Sequence, residues 1–408
     1  VPLSLLRSEW SLLIAIGAAL IGFAFEHSLM EAGRFAALAG AGLLVAAIIV
    51  ASMRVAHHAE MLAVKVGDPY GTMILTLSAV LVEVVILAIL MSGESSPTLV
   101  RDTIYAAVML DINGILGLAA LLGGLKHGEQ PYNDDSSRTY SVMILTAMGI
   151  SMIVPEFVPE AKWHFYSGFT IVAMVTLYAV FLRMQVGAHS YFFSYSYPNR
   201  NRRKPQAAAL PVGQGSAPAR ALPAAPEASA AAGTPPSGTS QPAAAVSEED
   251  ASHPGEDAPA GFSIAILVFG VVIIGILAEL MSALLTEGLR DTGAPPVLTA
   301  LVVATISAAP EIMTAMRAAL ANRMQAVVNI ALGASLSTVI LTVSVMEAIA
   351  LFTGQPFIMA MTPVQTVMVT ITLIAAAINL NDGETNAIEG MTHFVLFATF
   401  IMLSVLGL

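Results

Sequence analysis

The chain has 408 residues, 56% hydrophobic and 11% charged, with no cysteine, and its mean hydropathy is +0.78. Soluble domains carry roughly 25% charged residues, so a soluble globule is excluded; the missing thiols exclude disulfide frameworks, cysteine–zinc sites and thiol nucleophiles. The net charge of -11 sums scattered loop charges, and the informative acids are those inside apolar stretches.

A membrane-crossing helix needs about 20 mostly apolar residues. Eleven stretches nearly free of charge are candidates, near 10–25, 35–53, 70–92, 103–125, 139–156, 165–183, 262–286, 295–316, 325–347, 357–378 and 390–407. The first is short, but no small-residue cleavage site precedes Glu26-His27, so it reads as a helix and not as a leader. Between the sixth and seventh stretches, 39 of the 56 residues from 205 to 260 are Ala, Pro, Ser or Gly. Such a segment cannot bury a core and is expected to be a disordered tether. It ends on the acids Glu248, Glu249, Asp250, Glu256 and Asp257, which would serve a tether or a cation-sensing region.

With a cytoplasmic N-terminus, 13 of the 17 basic residues fall on the cytoplasmic side, leaving Arg34, Arg101, Lys162 and Arg290 opposite. The expectation is an inner-membrane protein with N-terminus and linker inside and C-terminus in the periplasm. Short patterns recur in the same order in both halves. Ala59-Glu60-Met61-Leu62-Ala63 resembles Ala278-Glu279-Leu280-Met281-Ser282, Glu83 answers Glu311, Asn113 to Gly117 answers Asn329 to Gly333, and Gly168-Phe169-Thr170 answers Gly390-Met391-Thr392. Five stretches separate the members of each pair, so the copies face opposite ways, as in secondary transporters. The predicted fold is an all-α integral membrane protein of 11 transmembrane helices. It comprises an N-terminal helix (1–30), a first five-helix repeat (31–190), a disordered cytoplasmic linker (191–260) and a second, inverted five-helix repeat (261–408).

Glu83 and Glu311 lie about thirteen and sixteen residues into their stretches, well inside the bilayer at about 1.5 Å per residue. An ionisable group at that depth marks a functional site by default; the structural alternative is a protonated acid bonded to a neighbouring helix. Pro310 precedes Glu311 and is expected to break the helix, freeing the carbonyl of Ile306. Thr305 and Ser307 near Glu311, and Thr76 and Ser78 near Glu83, complete an all-oxygen set suited to Ca²⁺, Na⁺ or K⁺. Asn113 and Asn329 would join that shell or bond between helices. Glu279 is a secondary candidate for the ion pathway, with Glu60 and Asp111 weaker. Adjacent His57 and His58 lack metal-site spacing, and His393 reads as a packed residue or a proton relay. Small residues at Ala79, Ser307, Gly117 and Gly333 are expected to let the third, fourth, eighth and ninth stretches approach closely.

These residues resemble the calcium/cation antiporter superfamily, and most closely its bacterial ChaA-type calcium/proton branch. The resemblance rests on Gly67-Asp68-Pro69-Tyr70-Gly71-Thr72 leading to Leu81-Val82-Glu83-Val84, and on Ala309-Pro310-Glu311-Ile312 leading through Arg317, Asn322 and Gln325 to Asn329-Ile330-Ala331-Leu332-Gly333, with Asn386 and Gly390 to His393 near the C-terminus. It implies one central cation site to which each repeat contributes an acid, here Glu83 and Glu311. The run from Ser307 to Glu311 is similar to the motif of the sodium/calcium exchanger branch. The Gly-Asn-x-x-Glu pattern of many cation/proton exchangers is missing, since Val80 and Ala308 stand at the Asn positions. The implied activity is export of Ca²⁺, or of Na⁺ or K⁺, against protons, with inorganic cations, protons and the bilayer as partners and no cofactor, nucleic acid or enzyme activity. Alternatives are a cation/cation exchanger such as Na⁺/Ca²⁺, a membrane enzyme or a cation channel. Stoichiometry and oligomeric state are not legible.

Overall fold

The computed structural model describes residues 9–66, 70–92, 96–186, 259–290, 292–354 and 357–408. The linker, with its acidic end, lies almost wholly outside them, as do Gly67, Asp68 and Pro69. In chain order the helices are α1 (Trp10–Glu31), α2 (Arg34–Val66), α3 (Tyr70–Ser92), α4 (Leu99–His127), α5 (Asp134–Phe157), α6 (Trp163–Val186), α7 (Ala260–Leu289), α8 (Pro296–Leu320), α9 (Met324–Thr353), α10 (Pro363–Asn379) and α11 (Ala387–Leu406). Among the described residues, nine helices are long and apolar enough to cross a membrane, and Thr76–Ser92 within α3 and Pro363–Asn379 are shorter apolar helices. Helices are what such sequences must form, because hydrocarbon offers no partner to an unpaired backbone group.

Local signals set the ends. The side chain of Asn133 accepts from the Asp135 amide to start α5, Thr362 and Gln365 form a capping box before α10, and Asn386 accepts from Ile388 and Glu389 amides to start α11. Gly354, in the left-handed region at φ 66, closes α9. Two short strands, β1 (Gln130–Pro131) and β2 (Glu384–Thr385), pair antiparallel with Gln130 opposite Thr385, tying the α4–α5 loop to the α10–α11 loop.

α1, α2 and α7 pack together, and α2 and α7 run antiparallel: Gly270 lies at Val55, Gly288 at Leu38 and Gly40 at Leu284. α4 is the most deeply buried helix and α9 the next. α4 lies against α8, α10 and α11, whereas α9 lies against α3, α5 and α6, and the two touch each other. Each central helix therefore finds much of its packing in the other half of the chain. Phe35, Leu43, Phe165 and Phe352 are exposed on the apolar exterior.

Among the described residues three helices carry π-helical segments, α4 at Leu110–Leu116, α5 at Gly149–Ile153 and α9 at Thr338–Thr342. Leu110 and Thr338 are separated by the same number of residues as Glu83 and Glu311. The close-approach expectation needs correcting. Gly117 makes room for α11, where an added Cβ would lie 2.8 Å from the His393 Cβ and 3.0 Å from the Phe394 amide nitrogen; one at Gly333 would meet only the Tyr140 hydroxyl, at 3.9 Å, and Ala79 is exposed.

Candidate functional site

Glu83 sits in the middle of α3 and is 3% exposed. Its Oε2 accepts hydrogen bonds from Thr338 Oγ1 at 3.1 Å and Thr342 Oγ1 at 2.7 Å, while Oε1 is buried without a partner among the described residues. Both threonines belong to the π segment of α9. The wider turn of a π segment re-aims side chains and commonly marks functional positions. Thr338 and Thr342, four residues apart and so on one helix face, bring two hydroxyls to one carboxylate oxygen.

The π segment of α4 supplies the third carboxyl, Asp111, whose Oδ2 accepts from Ser335 Oγ of α9 at 3.1 Å. Glu311 on α8 is half-buried, and its Oε2 is enclosed without a partner among the described residues. The charges of Glu311 and Glu83 both bear on Asp111, and that of Glu83 bears on Glu311. Glu83, Asp111 and Glu311 thus form one electrostatic unit where α3, α4, α8 and α9 meet. Thr338, Thr342 and Ser335 were not singled out by sequence reading, and Asp111 was ranked low; the common spacing of the glutamates and the π segments is the signal that relates them.

Asn113 turns away from this unit. Its Nδ2 donates to Thr372 Oγ1 of α10 at 2.8 Å, which leaves its Oδ1 to accept from His393 Nδ1 of α11 at 2.9 Å. His393 therefore carries its proton on Nδ1, and its buried Nε2 has no partner among the described residues. This chain pins the π segment of α4 to the two last helices.

The remaining sequence candidates are dispersed. The hydroxyls of Ser78, Ser307 and Thr305 bond to carbonyls of their own helices, at Ile74, Ala304 and Leu301, and Thr305 is exposed. Thr76 is half-buried. Asn329 accepts from Gln325 at 2.8 Å in a network that includes Ser136, near the start of α9. Glu279 is exposed on α7. α8 runs on through Pro310 as one helix, so the proline removes the amide facing Ile306 without ending the element. His58 and Arg54 both bind Glu9, a structural ion cluster at the start of α1.

Among the described residues no group of three or more His, Asp or Glu side chains is arranged to hold a metal ion. A cation at Glu83 would complete its shell from hydroxyl and carbonyl oxygens, a donor set that suits hard cations. Acids from both halves of a polytopic helical chain thus meet in its interior. The chain belongs to the sodium/calcium exchanger protein family, whose pattern matches residues 36–187 and 262–406. It is 28% identical to the sodium-potassium/proton antiporter ChaA of Escherichia coli over 88% of this chain and 87% of that protein. It is 22% identical to a Ca(2+)/H(+) antiporter of Aphanothece halophytica over 88% of this chain and 86% of that protein. In fold it matches native YfkE with a TM-score of 0.65 at 15% identity, over 93% of this chain and 99% of the other.

Proposed function

We propose that the protein is a secondary antiporter that exports Ca²⁺, or Na⁺ or K⁺, across the bacterial inner membrane in exchange for protons. The observation that carries this reading is the pair of glutamates, Glu83 and Glu311, one from each half of the chain, each with a buried carboxyl oxygen that has no partner among the described residues. Burial favours the neutral form of a carboxyl and a nearby cation favours the charged form, so protons and cations compete for the pair. Asp111 enlarges the negative charge available, and Thr338 and Thr342 orient Glu83. Glu279, exposed on α7, belongs to the approach pathway.

Alternating access would come from rocking of the α1, α2 and α7 group against the helices that carry the acids. The exchange of packing partners between α4 and α9, and the matched spacing of π segments and glutamates, support two inverted five-helix repeats after an N-terminal span, eleven spans in all. The relatives named as antiporters of Na⁺, K⁺, Ca²⁺ and H⁺ support the cargo class. A second reading, exchange of Na⁺ for Ca²⁺, draws on the run from Ser307 to Glu311, which is similar to the motif of the sodium/calcium exchanger branch. Purified protein in liposomes, with Ca²⁺, Na⁺, K⁺ and Mg²⁺ compared under an imposed pH gradient, tests the first reading. Proton movement coupled to a cation without Na⁺ is the expected result; cation exchange that moves no protons would replace it with the second.

A further inference from the structure

Glu347 was not singled out in the sequence, and the exchange reading leaves it unused. It lies five residues beyond Thr342 on α9, about 7 Å further along the axis at 1.5 Å per residue, and is 2% exposed. Ser167 Oγ of α6 donates to its Oε1 over a long 3.4 Å, and Oε2 is buried without a partner among the described residues. This half of α9 packs against α6 and α3. The titratable group close to Glu347 on α6 is Tyr166, whose hydroxyl donates to the Ile150 carbonyl at 2.6 Å; α3, packed against the same half of α9, is the helix that carries Glu83. No Lys or Arg among the described residues forms a salt bridge with Glu347.

A carboxylate held this way has neither a cation nor a good donor to offset its burial, so its stable occupant is a proton. One turn before Ser167, His164 is exposed, so the acid lies about a turn from an accessible helix end, on the same helix as the hydroxyls that bind Glu83. We propose that Glu347 is a second proton-binding carboxyl on the coupling path, a way-station that takes protons from the side of the membrane where α9 ends and delivers them to Glu83. The inference rests on the proton-exchange reading. When the site opens to that side, a proton leaves Oε2 of Glu347 through intervening water and joins the Glu83 carboxylate as the cation departs. The Glu347 carboxylate then takes a proton back from water.

The test uses the full-length protein in liposomes as wild type, Glu347→Gln and Glu347→Asp, with the cation that the wild type carries fastest. Two rates are read: self-exchange of labelled for unlabelled cation, which moves no protons, and proton-coupled exchange with pH varied on the side where α9 ends. Glu347→Gln is expected to keep self-exchange within about twofold of wild type, to lose about tenfold or more in coupled exchange, and to lose its response to that pH. Glu347→Asp, which restores a carboxyl, should recover most of the coupled rate. Equal loss of both rates, or no loss in either, overturns the assignment. A wild type that moves cations without protons sinks the underlying exchange reading, whereas normal coupling in Glu347→Gln sinks the way-station alone.

Discussion

At the scale of single residues, the two glutamates carry the sharpest expectations. Glu83→Gln and Glu311→Gln keep size and hydrogen-bonding capacity but remove the titratable charge, so each should cut proton-coupled exchange by about a hundredfold or more while the protein still folds. Size-exclusion profiles and liposome transport check both statements. In the wild type, apparent cation affinity should fall as pH falls, because both ligands contend for the same oxygens. Thr342→Val deletes the 2.7 Å bond to Glu83 and should weaken apparent cation affinity about tenfold, the equivalent of one hydrogen bond to a charged group. Outside the apolar interior, burial raises the Glu9 carboxyl, but the hydrogen bonds and charge of Arg54, helped by His58, outweigh it and leave Glu9 below its ordinary value of 4.5. A lowered folded value means a contribution to stability present above the ordinary value and lost as pH falls through the folded one. Glu9→Gln should therefore lower the melting temperature in detergent at neutral pH, and the gap from wild type should close below pH 4.5. A gap that stays constant with pH would mean the ion pair contributes nothing.

The elements show what could be read from the sequence and what could not. Apolar length located the helices, and the isolated Glu83 and Glu311 were found because charge is rare at such depth. The π segments were invisible in the sequence, and with them went Thr338 and Thr342; Ser335, just before the π segment of α9, carried no signal of its own. Glycines announced close packing without naming the partner. Gly117 looked like room for the acid-bearing helices, yet it admits His393 of α11. Gly117→Leu should force α11 away, break the Asn113–His393 bond and cost about 3 kcal/mol, whereas Gly333→Ala faces only a hydroxyl at 3.9 Å and should melt within about a degree of wild type. Thermal unfolding of the two variants side by side decides between these placements.

Across the whole molecule, the alternation of apolar stretches and the biased basic residues were legible, while the partnership of each helix was not, because neighbours in space come from opposite halves of the chain. Deleting residues 210–250 should leave exchange in liposomes within about twofold of wild type, since a run so rich in Ala and Pro has no core to lose; loss of transport with normal insertion would give the linker an active part. Protease added to the periplasmic face of intact cells should leave it uncut, and cleavage from that face would reverse the orientation. The mutual dependence of the halves also sets the order of events at the ribosome. The hydroxyls that receive Glu83 lie 255 and 259 residues later in the chain. At about 5–20 residues per second, α3 waits on the order of tens of seconds for α9 to be synthesised. During that interval Glu83 lacks both hydroxyls that bond it in the finished protein, and a bare carboxylate in hydrocarbon is costly, so a neutral acid, or shelter beside the insertion machinery, would spare the nascent helix that cost. The earliest demand on this carboxyl is thus made by biogenesis, before any ion has been carried.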